Sequence, residues 1–470
     1  MKKALFLLFS ALLLVSGSTV SAKPPVLPES KPLEIQFPSF DATTLTCGLK
    51  VYFFRDTQRP LVSANLYIPG GYSIDPEGKE GMVGLLWDTM RDGGAGDLSA
   101  EAFDAALKNK SIDMNTSADQ EHFSAGFHCL SEDLPYSLGL FADMLRRPRF
   151  DAKRLESSRA KTIDYLNRRQ DKPEDITEVL FSRTLQGHNP YGRWATPNTL
   201  KKISRSDVVA FFKKHYGPNG AVLALAGNFD EKETTRLLEK LFADWPRQEV
   251  KTDFGTVKPL GPKIYFFPKE ASQVSIRFGL LGYKNNDPDE MTYKVANYVL
   301  GGGGFASRLL TEIRSKRGLA YYTYSYFIPL RHIPGTFQID GGTRPDATKE
   351  YLAQMFKIMD QYAKDGPTQK ELDEAKKSII ENFAQKFESS FSASDQKAAL
   401  SEAGYPEDFW DTYRAKVNAV TRKQAQDAAE KILTQKDWVL VVSGPATLEK
   451  DLSAFGQVVK VTNVFQPLGD

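Results

Sequence analysis

Residues 81–90 form the segment Gly-Met-Val-Gly-Leu-Leu-Trp-Asp-Thr-Met. Its apolar residues recur at the spacing of one buried helix face, and the helix follows a strand and a turn. Val62, Ala64, Leu66 and Ile68 alternate as a half-buried strand requires, and Gly70-Gly71-Tyr72 with Asp75-Pro76 supplies the turn. The same order returns later in the chain. Val274, Ile276, Phe278 and Leu280 alternate, Gly282-Tyr283 and Asp287-Pro288 follow, and a helical run spans Met291 to Leu300. Each half also closes alike, with Ala221-Val-Leu-Ala-Leu-Ala-Gly227 matching Trp438-Val-Leu-Val-Val-Ser-Gly444. Gly71 and Gly282 lie 211 residues apart, and Gly227 and Gly444 lie 217 apart. Two offsets so close argue for an internal duplication.

Around this core, Leu45 to Phe54 reads as strand, turn and strand, and helical patterns cover 101–108, 132–145, 152–169, 231–242, 347–364 and 368–387. Strands and helices do not alternate strictly, which argues against a doubly wound sheet. The predicted fold class is α+β: two homologous domains, each a mostly antiparallel sheet with helices packed on one face. We place them at residues 40–248 and 263–470, joined by a Pro/Gly-punctuated linker at 249–262. Prolines at 24, 25, 28, 32 and 38 mark 23–39 as an extended lead-in.

A chain of 470 residues exceeds one ordinary core, and 41% hydrophobic with 26% charged residues suits a soluble globular protein. Met1 to Ala22 has the plan of a secretory signal peptide: Lys2 and Lys3, an apolar run from Ala4 to Val15, and Val20-Ser21-Ala22 before the cleavage point. Its run of about 12 apolar residues falls short of the roughly 20 that span a bilayer, and no later stretch approaches that length. Export and a periplasmic location are expected, with no membrane span. Without Lys2 and Lys3, the 61 basic side chains fall to 59, the number of acidic ones. That balance leaves no electrostatic footprint for nucleic acid. An oxidising compartment would permit a disulfide between Cys47 and Cys129, and the sequence leaves open whether they bond or stay buried thiols.

Gly48-Leu-Lys-Val51, Gly70 to Met90, Gly187-His-Asn-Pro-Tyr-Gly192, His215 to Gly227 and Leu300 to Tyr321 follow one another in that order. On these segments residues 40–465 resemble the insulinase/pitrilysin family of zinc metallopeptidases, above all the short two-domain bacterial members similar to processing peptidase subunits. The resemblance implies a clam-shell arrangement of the two domains. In the family, H-x-x-E-H puts two His and a Glu on one helix face, the His pair binding Zn²⁺ and the Glu activating water. Here those positions are Gly84, Trp87 and Asp88, and the motif occurs nowhere else in the chain. The family's third ligand is a Glu on a later helix. Lys161 to Pro173 puts Tyr165 at that position, with Asp164 beside it. His122 and His128, six apart on a predicted strand, lack a clustered third ligand, and His188, His215 and His332 lie in structural contexts. No metal is expected in this chain.

The second half carries Gly301-Gly-Gly-Gly-Phe-Ala-Ser-Arg308. A phosphate loop would continue with Gly-Lys-Ser/Thr, so nucleotide binding is excluded. Gly302, Gly303 and Gly304 instead allow close approach of an extended substrate chain. Arg314 and Tyr321 match the family's pair that reaches the zinc centre from the second domain and hydrogen-bonds the substrate carbonyl. Asn115, Thr116, Ser117 and Ala118 match the edge strand to which substrates add, although an ordinary hairpin explains them equally well. Lost zinc positions with a retained Arg/Tyr pair imply a non-catalytic subunit, inactive alone. Zn is then expected in a homologous partner chain, with peptide or unfolded polypeptide as substrate. The alternatives are a non-enzymatic peptide-binding or assembly scaffold, and an unusual site built on Asp88, Asp164 or the strand histidines.

Overall fold

The computed structural model describes residues 38–248, 250–466 and 468; the expected signal peptide and all but the end of the expected lead-in lie outside them. Two sheets of one design organise the chain. The first contains β1 (Asp41–Thr44), β2 (Lys50–Arg55), β3 (Leu61–Pro69), β4 (Asp113–Ala118), β5 (His122–Leu130) and β6 (Val222–Gly227), in the order β1-β2-β6-β3-β5-β4. The second contains β7 (Lys263–Pro268), β8 (Val274–Leu281), β9 (Ala320–Ile328), β10 (Thr336–Thr343), β11 (Val439–Gly444) and β12 (Val458–Lys460), in the order β12-β7-β11-β8-β10-β9. The duplication read from the sequence is therefore a duplication of topology over five strands of each sheet; the sixth differs, β1 lying antiparallel to β2 and β12 parallel to β7. Strands β2 and β6 run parallel, as do β7 and β11, and β7 and β12; the remaining pairs are antiparallel.

One face of each sheet carries its own half's helices. Leu223 and Leu225 of β6 join a core with Leu85, Leu86, Leu138, Phe141 and Leu238, and Leu440 and Val442 of β11 join one with Val295, Tyr351 and Met355. The predicted helices are present with small shifts. The run at Met291 begins as an α-helix at Glu290–Asn297 and widens to a π-helix over Tyr298–Gly302.

The opposite faces are covered by an exchange of helices between the halves. Pro173–Gln186, from the first half, packs Ile176, Val179, Leu180 and Phe181 against Val439 and Val441 of β11. Ser390–Glu402, from the second half, packs Ala398 against Tyr52, Val222 and Ala224. This is why β6 and β11 are buried at every residue: alternate side chains enter two different cores. Gly279 of β8 belongs to the same fit, since a Cβ there would sit 2.2 Å from the Phe181 ring.

Polar contacts reinforce the exchange. Tyr67 donates to Asp395 at 2.8 Å, Thr177 meets Ser275 at 2.9 Å, and Lys50 pairs with Glu407 at 2.6 Å. Glu121, beside β5, accepts the backbone N–H of Arg331 at 2.8 Å and the Tyr191 hydroxyl at 2.6 Å. Glu402 is buried at this junction, 3.2 Å from Arg331 and 3.8 Å from His122. Burial pushes its carboxyl up to about 7; Arg331 opposes the shift, while Glu121 and Asp119 add to it. Cys47 and Cys129 are both buried free thiols. The disulfide that the sequence left open is not formed. Cys47 lies in the turn before β2 near Glu239 and Arg247, whereas Cys129 lies on β5 near Ser137 and Asp133.

Two outcomes test this account. Phe181→Ala is expected to cost about 3–5 kcal/mol in denaturant unfolding. Gly279→Ala alone should destabilise by overpacking, yet cost far less in the Phe181→Ala background, where the added methyl enters the vacated space. Additive losses in that double-mutant cycle would contradict the packing. For Glu402, the folded value lies above the ordinary one, so folding takes up a proton. Its contribution is fully present below the ordinary value of 4.5 and is lost as pH rises through about 7. The stability of Glu402→Gln relative to the unaltered chain should therefore rise between pH 5 and pH 8, by on the order of 2 kcal/mol. A pH-independent difference would remove Glu402 from this role.

Candidate functional site

The helix Met82–Asp92 is held at its start by Asp75. This carboxylate accepts the N–H of Gly81 at 2.7 Å and of Val83 at 2.8 Å, occupying two donors that a helix start leaves free. It is buried, and desolvation raises its pKa to about 7 against the pull of those two N–H groups. Gly81 takes φ +97, and a Cβ there would lie 2.5 Å from Leu200. The helix buries Met82, Val83, Leu85, Leu86, Thr89 and Met90. Gly84, Trp87 and Asp88 share the other, half-buried side.

That face has room for ligands but not the chemistry. A Cβ at Gly84 would make only ordinary contacts, 3.8 Å from Trp87 and from Tyr72. Nothing steric excludes a side chain; the donor is simply missing. The Trp87 indole nitrogen is buried, and it is an N–H donor that cannot bind a cation. Asp88 accepts a short hydrogen bond from Ser158, on the neighbouring helix Ala152–Arg168. Burial raises its pKa, Ser158 opposes that shift and Asp92 adds to it. Tyr165 lies on the same helix as Ser158, two turns further on. It is 55% exposed, with the Arg169 guanidinium 5.4 Å from its ring centre. Asp164 is paired with Arg168 at 3.0 Å. One engaged carboxylate with a glycine, an indole and an exposed phenol does not fit Zn²⁺.

The histidines do not assemble a substitute. His122 packs on the Tyr67 ring with Asp119 at 3.3 Å, while His128 lies against Phe391. His332 stacks near Phe254. Among the described residues no cluster of three His, Cys, Asp or Glu side chains could hold a metal ion.

Strand β4 does lie at the sheet edge beside this helix, as expected for Asn115 to Ala118. Asn115 and Ser117 are exposed, and Thr116 donates to the Trp87 carbonyl at 3.2 Å. The edge is partly taken. Arg91, one turn beyond Trp87, donates to the Met114 carbonyl at 2.7 Å while pairing with Asp104 at 2.9 Å.

The second cluster is built on two π-helical segments, Tyr298–Gly302 and Leu310–Ser315, with the glycine run between them. Such wide turns are rare and recur at functional sites. Gly301 sits so close to β9 that a Cβ would lie 2.4 Å from Ser325 Oγ. Ser325 and Asn297 bond reciprocally at 2.6 and 3.0 Å and fix this segment to the strand. Gly302 is exposed and Gly303 packs on Tyr298; Gly304, at φ +57, faces open space. Arg314 and Tyr321 are brought together. The guanidinium lies 5.1 Å from the Tyr321 ring and 5.0 Å from that of Phe305, between two rings that are 75% and 70% exposed. No carboxylate pairs with Arg314 among the described residues. Its near neighbour in sequence, Glu312, is committed to Lys316 at 2.6 Å and Arg317 at 2.9 Å, which hold its pKa below the usual range.

The cluster thus presents an unpaired planar cation and a solvent-facing phenol, both donors for an oxygen that gains charge. It belongs to the second half and the ligand-poor helix to the first; among the described residues no hydrogen bond or ion pair joins them. Sequence reasoning missed Phe305, Ser158 and Arg91. Only Phe305 left a signal, as a large apolar residue directly after a glycine run.

Comparison with known proteins places this geometry in a family. Residues 50–196 match the model of insulinase, peptidase family M16, and residues 202–379 match that of the M16 inactive domain. An uncharacterized zinc protease of Streptomyces coelicolor is 29% identical over 62% of this chain, which spans 64% of that relative's length. A non-peptidase homologue of Helicobacter pylori is 25% identical over 68% of this chain and 74% of its own. Among solved structures, a peptidase M16 inactive domain from Pseudomonas fluorescens superposes with a TM-score of 0.80 at 26% identity, over 87% of this chain and 98% of that one. The chain belongs to the insulinase family, peptidase family M16.

Proposed function

We propose that this chain is the non-catalytic subunit of a heteromeric, periplasmic zinc peptidase. A separate zinc-bearing homologue would hydrolyse the peptide, and this chain would donate the Arg314–Tyr321 cluster and part of the substrate-binding surface. The observation that carries the reading is the contrast between the two clusters. The helix face of Gly84, Trp87 and Asp88 has no metal-binding set, whereas Arg314 stands unpaired between exposed rings. A guanidinium left without a carboxylate costs its neighbours nothing while it is solvated, and it is available to an incoming oxygen. The likeness to a relative named a non-peptidase homologue supports the first part, a peptidase fold without peptidase activity of its own.

Activity should therefore require both chains. The purified chain is expected to hold far less than one equivalent of zinc after dialysis against it, and to leave an unstructured peptide uncut. Co-purification from the native host should bring down a homologue carrying H-x-x-E-H, and the pair should cleave. In the pair, Arg314→Ala should reduce kcat/KM by about a hundredfold or more, as loss of a donor to developing charge does. Tyr321→Phe should cost less. Full activity of this chain alone would defeat the proposal. Indifference of the pair to the Arg314→Ala/Tyr321→Phe double change would favour a non-enzymatic scaffold instead.

A further inference from the structure

The second half contains a cavity of about 490 Å³ that neither Arg314 nor Tyr321 lines. Four helices, Glu290–Asn297, Gln369–Ala384, Ser390–Glu402 and Phe409–Ala419, contribute residues to it, with Tyr326 and Phe327 of β9. Much of its lining is aromatic. Phe383 stacks on Tyr413 with ring centres 3.9 Å apart, and Phe409 meets Tyr413 edge-on at 5.7 Å. The size suits a small-ligand site, for which about 300–1,000 Å³ is usual.

Three charged side chains converge there: Glu290, Lys294 and Lys386. Glu290 is buried and saturated. One carboxylate oxygen pairs with Lys294 at 2.6 Å and the other accepts the Tyr405 hydroxyl at 2.9 Å. Lys386 lines the cavity yet is exposed to solvent, and it has no hydrogen-bond or ion-pair partner among the described residues. The set therefore carries one positive charge in excess, with that ammonium's donors open to an incoming acceptor in place of water. Two ammonium groups disfavour a cation despite the aromatic walls. A single unpaired one matches a singly charged anion better than a polyanion, which would call for several. A carboxylate attached to an apolar ring satisfies both the charge and the walls.

We propose that this cavity binds an aromatic residue bearing a free α-carboxylate, as at the C-terminus of a polypeptide, with Lys386 as counter-ion and the Phe383–Tyr413 stack as wall. The site does not depend on the zinc-bearing partner proposed above, so it is tested on the purified chain alone. Fluorescence anisotropy would compare fluorescein-labelled Gly-Ser-Gly-Ser-Gly-Phe carrying a free C-terminus with its C-terminal amide and with the same peptide ending in Ala. The free acid is expected to bind about threefold or more tighter than the amide, as an ion pair to a solvent-exposed ammonium predicts, and tighter than the Ala-ended peptide. Lys386→Gln should bring the acid to the level of the amide, and Lys386→Arg should keep the preference. Competition by N-acetylphenylalanine assigns the site to any aromatic acid, and its failure to compete assigns it to a peptide terminus; both sustain the carboxylate site. Equal binding of acid and amide, an acid preference that survives Lys386→Gln, or no binding of the acid peptide at millimolar concentration would overturn it.

Discussion

The structure depends first on the reciprocal loan of one helix by each half to the other's sheet. Val439 and Val441 of β11 would face solvent without Pro173–Gln186, and Val222 and Ala224 of β6 would do so without Ser390–Glu402. Burying such side chains contributes about 1.5–3 kcal/mol each for the larger ones. The two sheets are thus parts of one folding problem, although each has its own core. Polar contacts such as Glu121 with the Arg331 backbone then fix the register of the halves. Both functional clusters stand on this frame, one beside edge strand β4 and the other beside edge strand β9.

Within it, the two clusters are treated oppositely. On the helix Met82–Asp92, the single remaining carboxylate at the expected ligand positions, Asp88, is absorbed by Ser158. Arg91 then closes part of the neighbouring strand edge by bonding the Met114 carbonyl. Around Arg314 the reverse holds, because Glu312 is occupied by two other cations and the guanidinium is left in the grip of two rings. Hydrogen bonding at the first cluster and ion pairing at the second thus decide which surface stays chemically open. A metal site that had merely lost its ligands would not require this second arrangement.

Much of this was legible in the residues. Alternation in β3 and β8, and the repeated closing strands β6 and β11, carry the duplication because a half-buried strand shows its period directly. The exchanged helices were not legible, for a physical reason. Ser390–Glu402 meets a sheet through Ser394 and Ala398, small residues that permit close approach but form no apolar stripe. Pro173–Gln186 buries residues over most of its surface, which blurs the helical period. The clustering of Arg314 with Tyr321 was expected from their motif. The role of Phe305 was not, because the stack depends on how the π-helical turns aim these side chains. Tyr165 was assigned from the likeness of the segment Lys161 to Pro173 to the family's; Ser158, two turns earlier on that helix and against Asp88, left no such signal.

On the proposed function, Arg314 and Tyr321 act on chemistry held by another chain. The most direct test replaces Tyr321 with the photocrosslinker benzoyl-phenylalanine, irradiates the complex purified from the native host, and maps the crosslinks by mass spectrometry. Crosslinks are expected from position 321 to a homologous chain, on or beside its H-x-x-E-H helix, and to a bound peptide. Crosslinks confined to this chain, with no homologue captured, would contradict the proposed function.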